Sequence, residues 1–307
     1  MSDTQNNINF AFDALLPPEM AQKAENAGVA KANLGKWRML VLAILAGAFI
    51  ALGAMFATTA TTGTAGNVPF GLARLVGGLV FSLGLILVVI AGAELFTGNN
   101  LIVMAWASHK VSTRKLLYNW GIVYVGNFIG AVVTAVFVFL SHQYMSANGA
   151  LGVNALTVAN YKTGLEFFPA FVLGVLCNAL VCLAVWLCMS ARTTTDKILA
   201  IIFPITAFVA AGFEHSIANM YFIPIGLFIK QFAPASFWSA AGVSAADYAN
   251  LTWGNFLFAN LLPVTLGNII GGAVMVGLVY WFIYLRPAGH LLPRRPHTDK
   301  EHQVKQA

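Results

Sequence analysis

Six stretches of this chain stay apolar long enough to cross a hydrocarbon core about 30 Å thick. They run near Met39 to Ala60, Phe70 to Trp106, Leu116 to Ser141, Phe167 to Met189, Ile198 to Ile229 and Trp253 to Tyr284. The pattern predicts an all-α membrane protein of six transmembrane helices, and an even number of spans puts both termini on one side. The second and fifth stretches exceed what one straight helix needs. Each is interrupted by a carboxylate with an asparagine five residues later, in Gly92-Ala93-Glu94-Leu95-Phe96-Thr97-Gly98-Asn99-Asn100 and in Gly212-Phe213-Glu214-His215-Ser216-Ile217-Ala218-Asn219. Each reads as two half-helices with a break between. Lipid offers no hydrogen-bond partner to irregular backbone, so each break should line protein or a water-filled cavity.

The interruptions correspond to one another. Glu94 and Asn99 match Glu214 and Asn219 at an offset of 120 residues. In the third and sixth spans, Asn119 and the run Gly126-Asn127-Phe128-Ile129-Gly130 match Asn260 and Gly267-Asn268-Ile269-Ile270-Gly271 at an offset of 141. Small residues four apart let helix backbones approach closely, and the asparagine between them can bond across. A fainter echo pairs Gly47 with Gly174. Spans one to three thus resemble spans four to six, and an odd number per half forces opposite orientations. This predicts an inverted 3+3 repeat with interrupted second and fifth spans, an architecture that places transport sites at the repeat interface.

Composition sharpens the class. With 59% hydrophobic and only 9% charged residues, the chain lacks the roughly 25% charge of an ordinary soluble domain. Fourteen of the 17 lysines and arginines fall on one side of the six-span arrangement, leaving Arg74, Lys162 and Lys230 for the other. Cytoplasmic loops are the basic ones, so both termini are expected in the cytoplasm. The net charge of +6 reports this orientation, not nucleic-acid binding. Three regions follow: a cytoplasmic N-terminal segment, 1–36; a six-span channel domain, 37–286; and a cytoplasmic basic tail, 287–307. No cleavable signal is expected before Lys36, and Pro17-Pro18-Glu19 opens a short amphipathic helix through Ala30, expected either to gate the inner mouth or to lie on the membrane surface, the surface role being slightly favoured.

Symmetry brings the two breaks together near the midplane, where half-helix N-termini offer free N–H groups and a partial positive charge. Thr97 and Ser216 are expected to cap those N-termini. The centre should suit anions provided Glu94 and Glu214 are tied to protein donors. His215 is the one histidine inside a predicted span, and an unperturbed imidazole titrates at about 6.5. Cys177, Cys182 and Cys188, at spacings of five and six, match neither a metal site nor a redox pair and read as small hydrophobes. The pattern calls for no cofactor and no metal.

At these residues the chain resembles the formate/nitrite transporter family, closest to its formate channel branch. The likeness runs from about Phe12 to Leu285 and is carried by Pro69-Phe70-Gly71-Leu72-Ala73-Arg74-Leu75-Val76-Gly77-Gly78, by both interruptions, and by Pro263-Val264-Thr265-Leu266-Gly267-Asn268. The resemblance implies an aquaporin-like protomer in a homopentamer in the bacterial inner membrane, each protomer with its own pore. By matching position, His215 is the central pore histidine and Thr97 the gating threonine. Lys162, Glu214, Asn178 and Asn219 match polar positions around it. Phe81, Leu85 and Phe208, with Leu95 and Phe96 of the broken loop, match the hydrophobic constriction. Gly98-Asn99-Asn100 departs from formate channels that carry a serine and a threonine there. The resemblance also leaves room for a cytoplasmic formate-metabolising enzyme as partner.

The expected function is pH-dependent, bidirectional passage of formate or similar small monovalent anions. Carrying charge past Phe81, Leu85, Leu95 and Phe208 would cost several kcal/mol, so an anion drawn in by Lys162 is expected to take a proton at His215 and cross as the neutral acid. Glu214 and Asn219 are expected to orient the imidazole. A nitrite or hydrosulfide channel remains the alternative. An aquaporin-type neutral-solute channel is disfavoured by the missing paired Asn-Pro-Ala signatures, and an enzyme by the lack of HExxH, GxxxxGK[ST] or GxSxG.

Overall fold

The computed structural model describes residues 14–286 and is all-helical across them. The basic tail expected over 287–307 lies outside the described residues, as do the first thirteen of the N-terminal segment. The chain begins with α1 (Pro17–Ala32) and α2 (Lys36–Thr61). α3 (Phe70–Gly92) ends in a wider, π-type turn over Leu87–Gly92. After α4 (Phe96–Asn99), helical turns continue through Val103–Ala107. The rest comprises α5 (Thr113–Leu140), α6 (Ala150–Thr163), α7 (Phe167–Ser190), α8 (Thr194–Ala211), α9 (Ser216–Phe232) and α10 (Asn255–Tyr284). Six helices, namely α2, α3, α5, α7, α8 and α10, are long and apolar enough to cross a membrane.

The two long apolar stretches end their first halves alike. Gly92 (φ 82°) and Gly212 (φ 79°) both adopt left-handed backbone, which stops a helix at little cost only where no Cβ is present. Three residues, Ala93 to Leu95, separate α3 from α4, and Gly212 to His215 separate α8 from α9. In α10, Pro263 has no N–H to offer the preceding turn. The chain there takes π-type turns over Asn255–Leu261.

Helix α6 was not among the elements expected from hydropathy, because at 14 residues it is too short to span. It packs on α9 and brings Lys162 to the broken stretch. The N-terminal helix α1 is docked on the bundle, burying Met20, Ala21 and Ala24 against Leu101, Met104 and Trp186. Lys23 Nζ donates to the Met189 carbonyl at 2.8 Å.

Glycine-lined crossings hold the bundle. A methyl group at Gly47 would run into the Asn127 backbone, and one at Gly130 into the Ile44 carbonyl, so α2 and α5 touch backbone to backbone. The same holds for α7 against α10, where Gly267 and Gly271 face the Phe171 and Val175 carbonyls. We expect Gly130→Ala to lower stability by about 1–3 kcal/mol through overpacking. Gly121→Ala on the same helix, with open space around it, should be neutral or mildly stabilising. Thermal unfolding of the purified protein in detergent separates the two, and equal melting temperatures would show that the crossing tolerates a methyl.

Candidate functional site

The broken stretches face each other through Thr97 and His215. Thr97 Oγ1 lies 3.0 Å from His215 Nε2, and Thr97 is fully buried while His215 is 3% exposed. Ala218 N–H donates to His215 Nδ1 at 3.0 Å, so that nitrogen presents its lone pair. A neutral ring then carries its hydrogen on Nε2 and donates it to Thr97 Oγ1. The Thr97 hydroxyl hydrogen is left to find a third partner.

The caps differ from expectation. His215 itself, not Ser216, is the N-cap of α9, and Leu95, not Thr97, occupies that position before α4. The first N–H of each half-helix is met by an asparagine from another span. Asn127 Oδ1 accepts Phe96 N–H at 2.9 Å, and Asn268 Oδ1 accepts Ser216 N–H at 2.9 Å. The same two amides donate onward, Asn127 Nδ2 to the Ala43 and Glu94 carbonyls and Asn268 Nδ2 to those of Gly174 and Glu214. A long-range amide supplies acceptor and donor together, which a hydroxyl inside the half-helix cannot do from its own turn. The N–H groups of Thr97, Gly98 and Ile217 have no protein acceptor among the described residues, as first-turn donors do not.

Each carboxylate is tied to a lysine and an asparagine. Lys31 Nζ donates to Glu94 Oε1 at 2.7 Å and to Asn99 Oδ1 at 3.1 Å, while Asn99 Nδ2 donates to Glu94 Oε2 at 2.7 Å. In the second half, Lys162 Nζ donates to Glu214 Oε1 at 2.7 Å and Asn219 Nδ2 to Glu214 Oε2 at 2.7 Å. Asn119 and Asn260 then join the respective networks. The networks differ in two places: Asn260 Nδ2 also donates to Glu214 Oε2 at 3.2 Å, where Asn119 Nδ2 turns to Met39 Sδ, and the asparagine oxygens are served differently. Lys31 serves the asparagine oxygen as well, whereas Asn219 Oδ1 is buried with no partner. Lys162 Nζ instead stands over the Phe222 ring, 5.4 Å from its centroid.

Glu214 and Asn219 therefore hold each other and Lys162, and neither bonds the imidazole as the sequence led us to expect. Glu214 precedes His215 at the helix start and points away from it, while Asn219, one turn on, spends its amide on Glu214 and Asn260 and Ala218 N–H takes the imidazole Nδ1. Asn178, on α7, donates to the Thr97 and Asn268 carbonyls and to Asn100 Oδ1, bracing both breaks at once.

The apolar candidates divide. Phe81 meets Phe208 edge-on at 5.6 Å and stacks on Phe222 at 6.3 Å, and Phe208 in turn stacks on the His215 ring at 5.9 Å. Leu85 and Leu95 are buried in the same core. Phe96 turns away and packs edge-on against Trp120 and Tyr124. Sequence reasoning missed Lys31 and Phe222 as members of the site. Lys31 stands 131 positions before Lys162, a signal masked by its place outside the spans.

The sequence matches the formate/nitrite transporters over residues 18–282. The chain belongs to the formate/nitrite transporter family. It is 50% identical over 279 residues to the formate channel FocA of Escherichia coli, covering 91% of this chain and 98% of that one. It is 46% identical to FocA of Haemophilus influenzae over 89% and 95% of the two chains. Its fold is similar to that of a pentameric formate channel with formate bound, with a TM-score of 0.78 at 49% identity, over 82% of this chain and 98% of that one. These family relatives are channels and not enzymes.

The buried Lys162–Glu214 pair provides a test of the second network. Removing one partner strands a charge at depth, so Lys162→Met should cost on the order of 3 kcal/mol, and adding Glu214→Gln should restore most of it. Chemical unfolding in detergent reads both. A neutral single variant would show that the carboxylate is held by its asparagines alone.

Proposed function

We propose that this chain is a formate channel whose conduction depends on pH. The observation that carries this reading is the Thr97–His215 contact at 3.0 Å, made between two helix breaks and bordered by the Phe81–Phe208 pair. The identity to formate channels over nine-tenths of the chain supports formate as substrate. The correspondence of bonds between halves supports an inverted 3+3 repeat in an aquaporin-like protomer: Lys31–Glu94–Asn99–Asn119 against Lys162–Glu214–Asn219–Asn260, with Asn127 against Asn268. Similarity to a pentameric channel supports a homopentamer. The basic bias supports a bacterial inner-membrane orientation with both termini cytoplasmic.

In this mechanism the anion is drawn toward Lys162 and the free N–H groups of the breaks. A neutral His215 with its hydrogen on Nε2 cannot yield it without becoming an imidazolate. Proton delivery therefore starts from the imidazolium, formed when Nδ1 takes a proton and releases Ala218 N–H. Nε2–H then passes to Thr97 Oγ1 while the Thr97 hydroxyl hydrogen passes to formate, leaving formic acid and a neutral ring protonated on Nδ1. The neutral acid slips past Phe81, Leu85 and Phe208, where an anion would pay several kcal/mol of desolvation. Thr97 acts as the gate, because its hydroxyl is the partner through which the Nε2 proton leaves the ring.

Formate uptake into liposomes tests the scheme. His215→Asn should cut flux at acidic pH on the order of 10²-fold and flatten its pH dependence. Thr97→Ala should do the same while leaving the assembled protein intact. Unchanged flux and pH profile in either variant would remove the relay, and a panel with nitrite and hydrosulfide would show whether formate is the preferred solute.

A further inference from the structure

Arg74 is used by nothing so far described. It lies on α3 seven residues before Phe81, which on an α-helix is the same face, about 10 Å further along the axis. Gly78, Phe81 and Leu85 continue that stripe. Gly78 meets Thr206 of α8, and Phe81 meets Phe208. Arg74 therefore stands on the constriction-lining face of α3, beyond the phenylalanine pair on the side away from Leu85.

Its guanidinium is spent on the end of α8. Nη2 donates to the Val209 carbonyl at 2.6 Å and Nε to the Ala210 carbonyl at 3.1 Å. These carbonyls belong to the last turn before the Gly212 break, where a helix presents about half a unit of negative charge. Left bare, that end would repel an approaching anion beside Phe208. Arg74 covers it with a full positive charge, and among the described residues no carboxylate pairs with Arg74. Arg74 is half-buried, its guanidinium also standing 6.0 Å from the centroid of the Phe70 ring at the start of α3. Of the two other basic residues assigned to this side, Lys162 pairs with Glu214 and Lys230 donates to the Tyr248 and Leu251 carbonyls, so neither covers the end of α8. The corresponding end of α3, at Gly92, has no basic side chain on its carbonyls among the described residues.

We infer that Arg74 is a specificity-determining residue for anion entry from its face of the membrane, turning the carbonyl end of α8 from a barrier into an attractive mouth. This rests on the anion-conducting reading above. It makes conduction electrically unequal from the two sides. Exposed charges act through a screening length of about 8 Å at physiological salt and about 3 Å at 1 M, so the effect must weaken with ionic strength.

The test uses the full-length protein in sealed vesicles of each orientation, with initial uptake measured against sodium formate concentration at low and high potassium chloride. Arg74→Gln keeps an N–H donor for the carbonyls and removes the charge. It should raise the half-saturating formate concentration from the Arg74 face about three- to tenfold, the influence of one unit charge on a nearby anion. The saturating rate and entry from the opposite face should stay within about twofold, and Arg74→Lys should stay close to the unaltered protein. The half-saturating concentration of the unaltered protein should rise with salt, and that of Arg74→Gln should not. If Gln and Lys lose saturating rate together at constant half-saturation, Arg74 is only a helix cap and the inference falls. It falls equally if Lys shows the same rise as Gln, or if Gln changes nothing. Should Arg74→Gln fail to assemble, the salt titration of the unaltered protein decides, and a salt-insensitive half-saturation from the Arg74 face overturns the inference. An unaltered protein that passes no formate defeats the channel reading itself, a failure seen before any variant is compared.

Discussion

A helix broken inside an apolar medium leaves backbone groups that nothing around it can satisfy, and the structure is organised around that constraint. Asn127 and Asn268 meet it. Each accepts from the first N–H of a half-helix and donates to carbonyls on two other segments, so one side chain ties a break to its neighbouring spans. The close glycine crossings follow from this. An asparagine is short, and it reaches the break only because α5 and α10 run against α2 and α7 without intervening side chains.

With the breaks fixed, the carboxylates become part of the support. Glu94 and Glu214 each join a lysine and several amides, and these networks clamp the start of the half-helices from behind. α1 takes part through Lys31, which makes an element outside the spans a component of the first break. The second break has no such extra donor on Asn219, and its lysine faces an aromatic ring instead. The two breaks, alike in their bonds to Asn127 and Asn268, thus differ in the surroundings of their carboxylates.

Much of this was legible in the chain. Apolar runs marked the spans, and their excess length marked the breaks. Glu94 and Glu214, with their asparagines, stood out because charge is costly at that depth. His215 and Thr97 were singled out and do touch. What could not be read were contacts set by tertiary packing. Local capping rules pointed to Thr97 and Ser216, but the acceptors came from asparagines on other spans, and no window of sequence contains both partners. Lys31 was counted only as a cytoplasmic charge, since nothing local says that α1 docks. The expected bonds from Glu214 and Asn219 to the imidazole failed because Glu214 diverges from His215 where the helix begins and the Asn219 amide is claimed by Glu214 and by Asn260 of another span.

The offset that pairs Glu94 with Glu214 also sets Leu95 in register with His215 and Ile217 with Thr97. A molecule with matched halves would carry two imidazoles at its centre, each against the other half's hydroxyl. Here one such contact is built and its mirror image is two aliphatic residues. The imidazole between the breaks is therefore single, with no twin beside it whose ionisation would be coupled to its own.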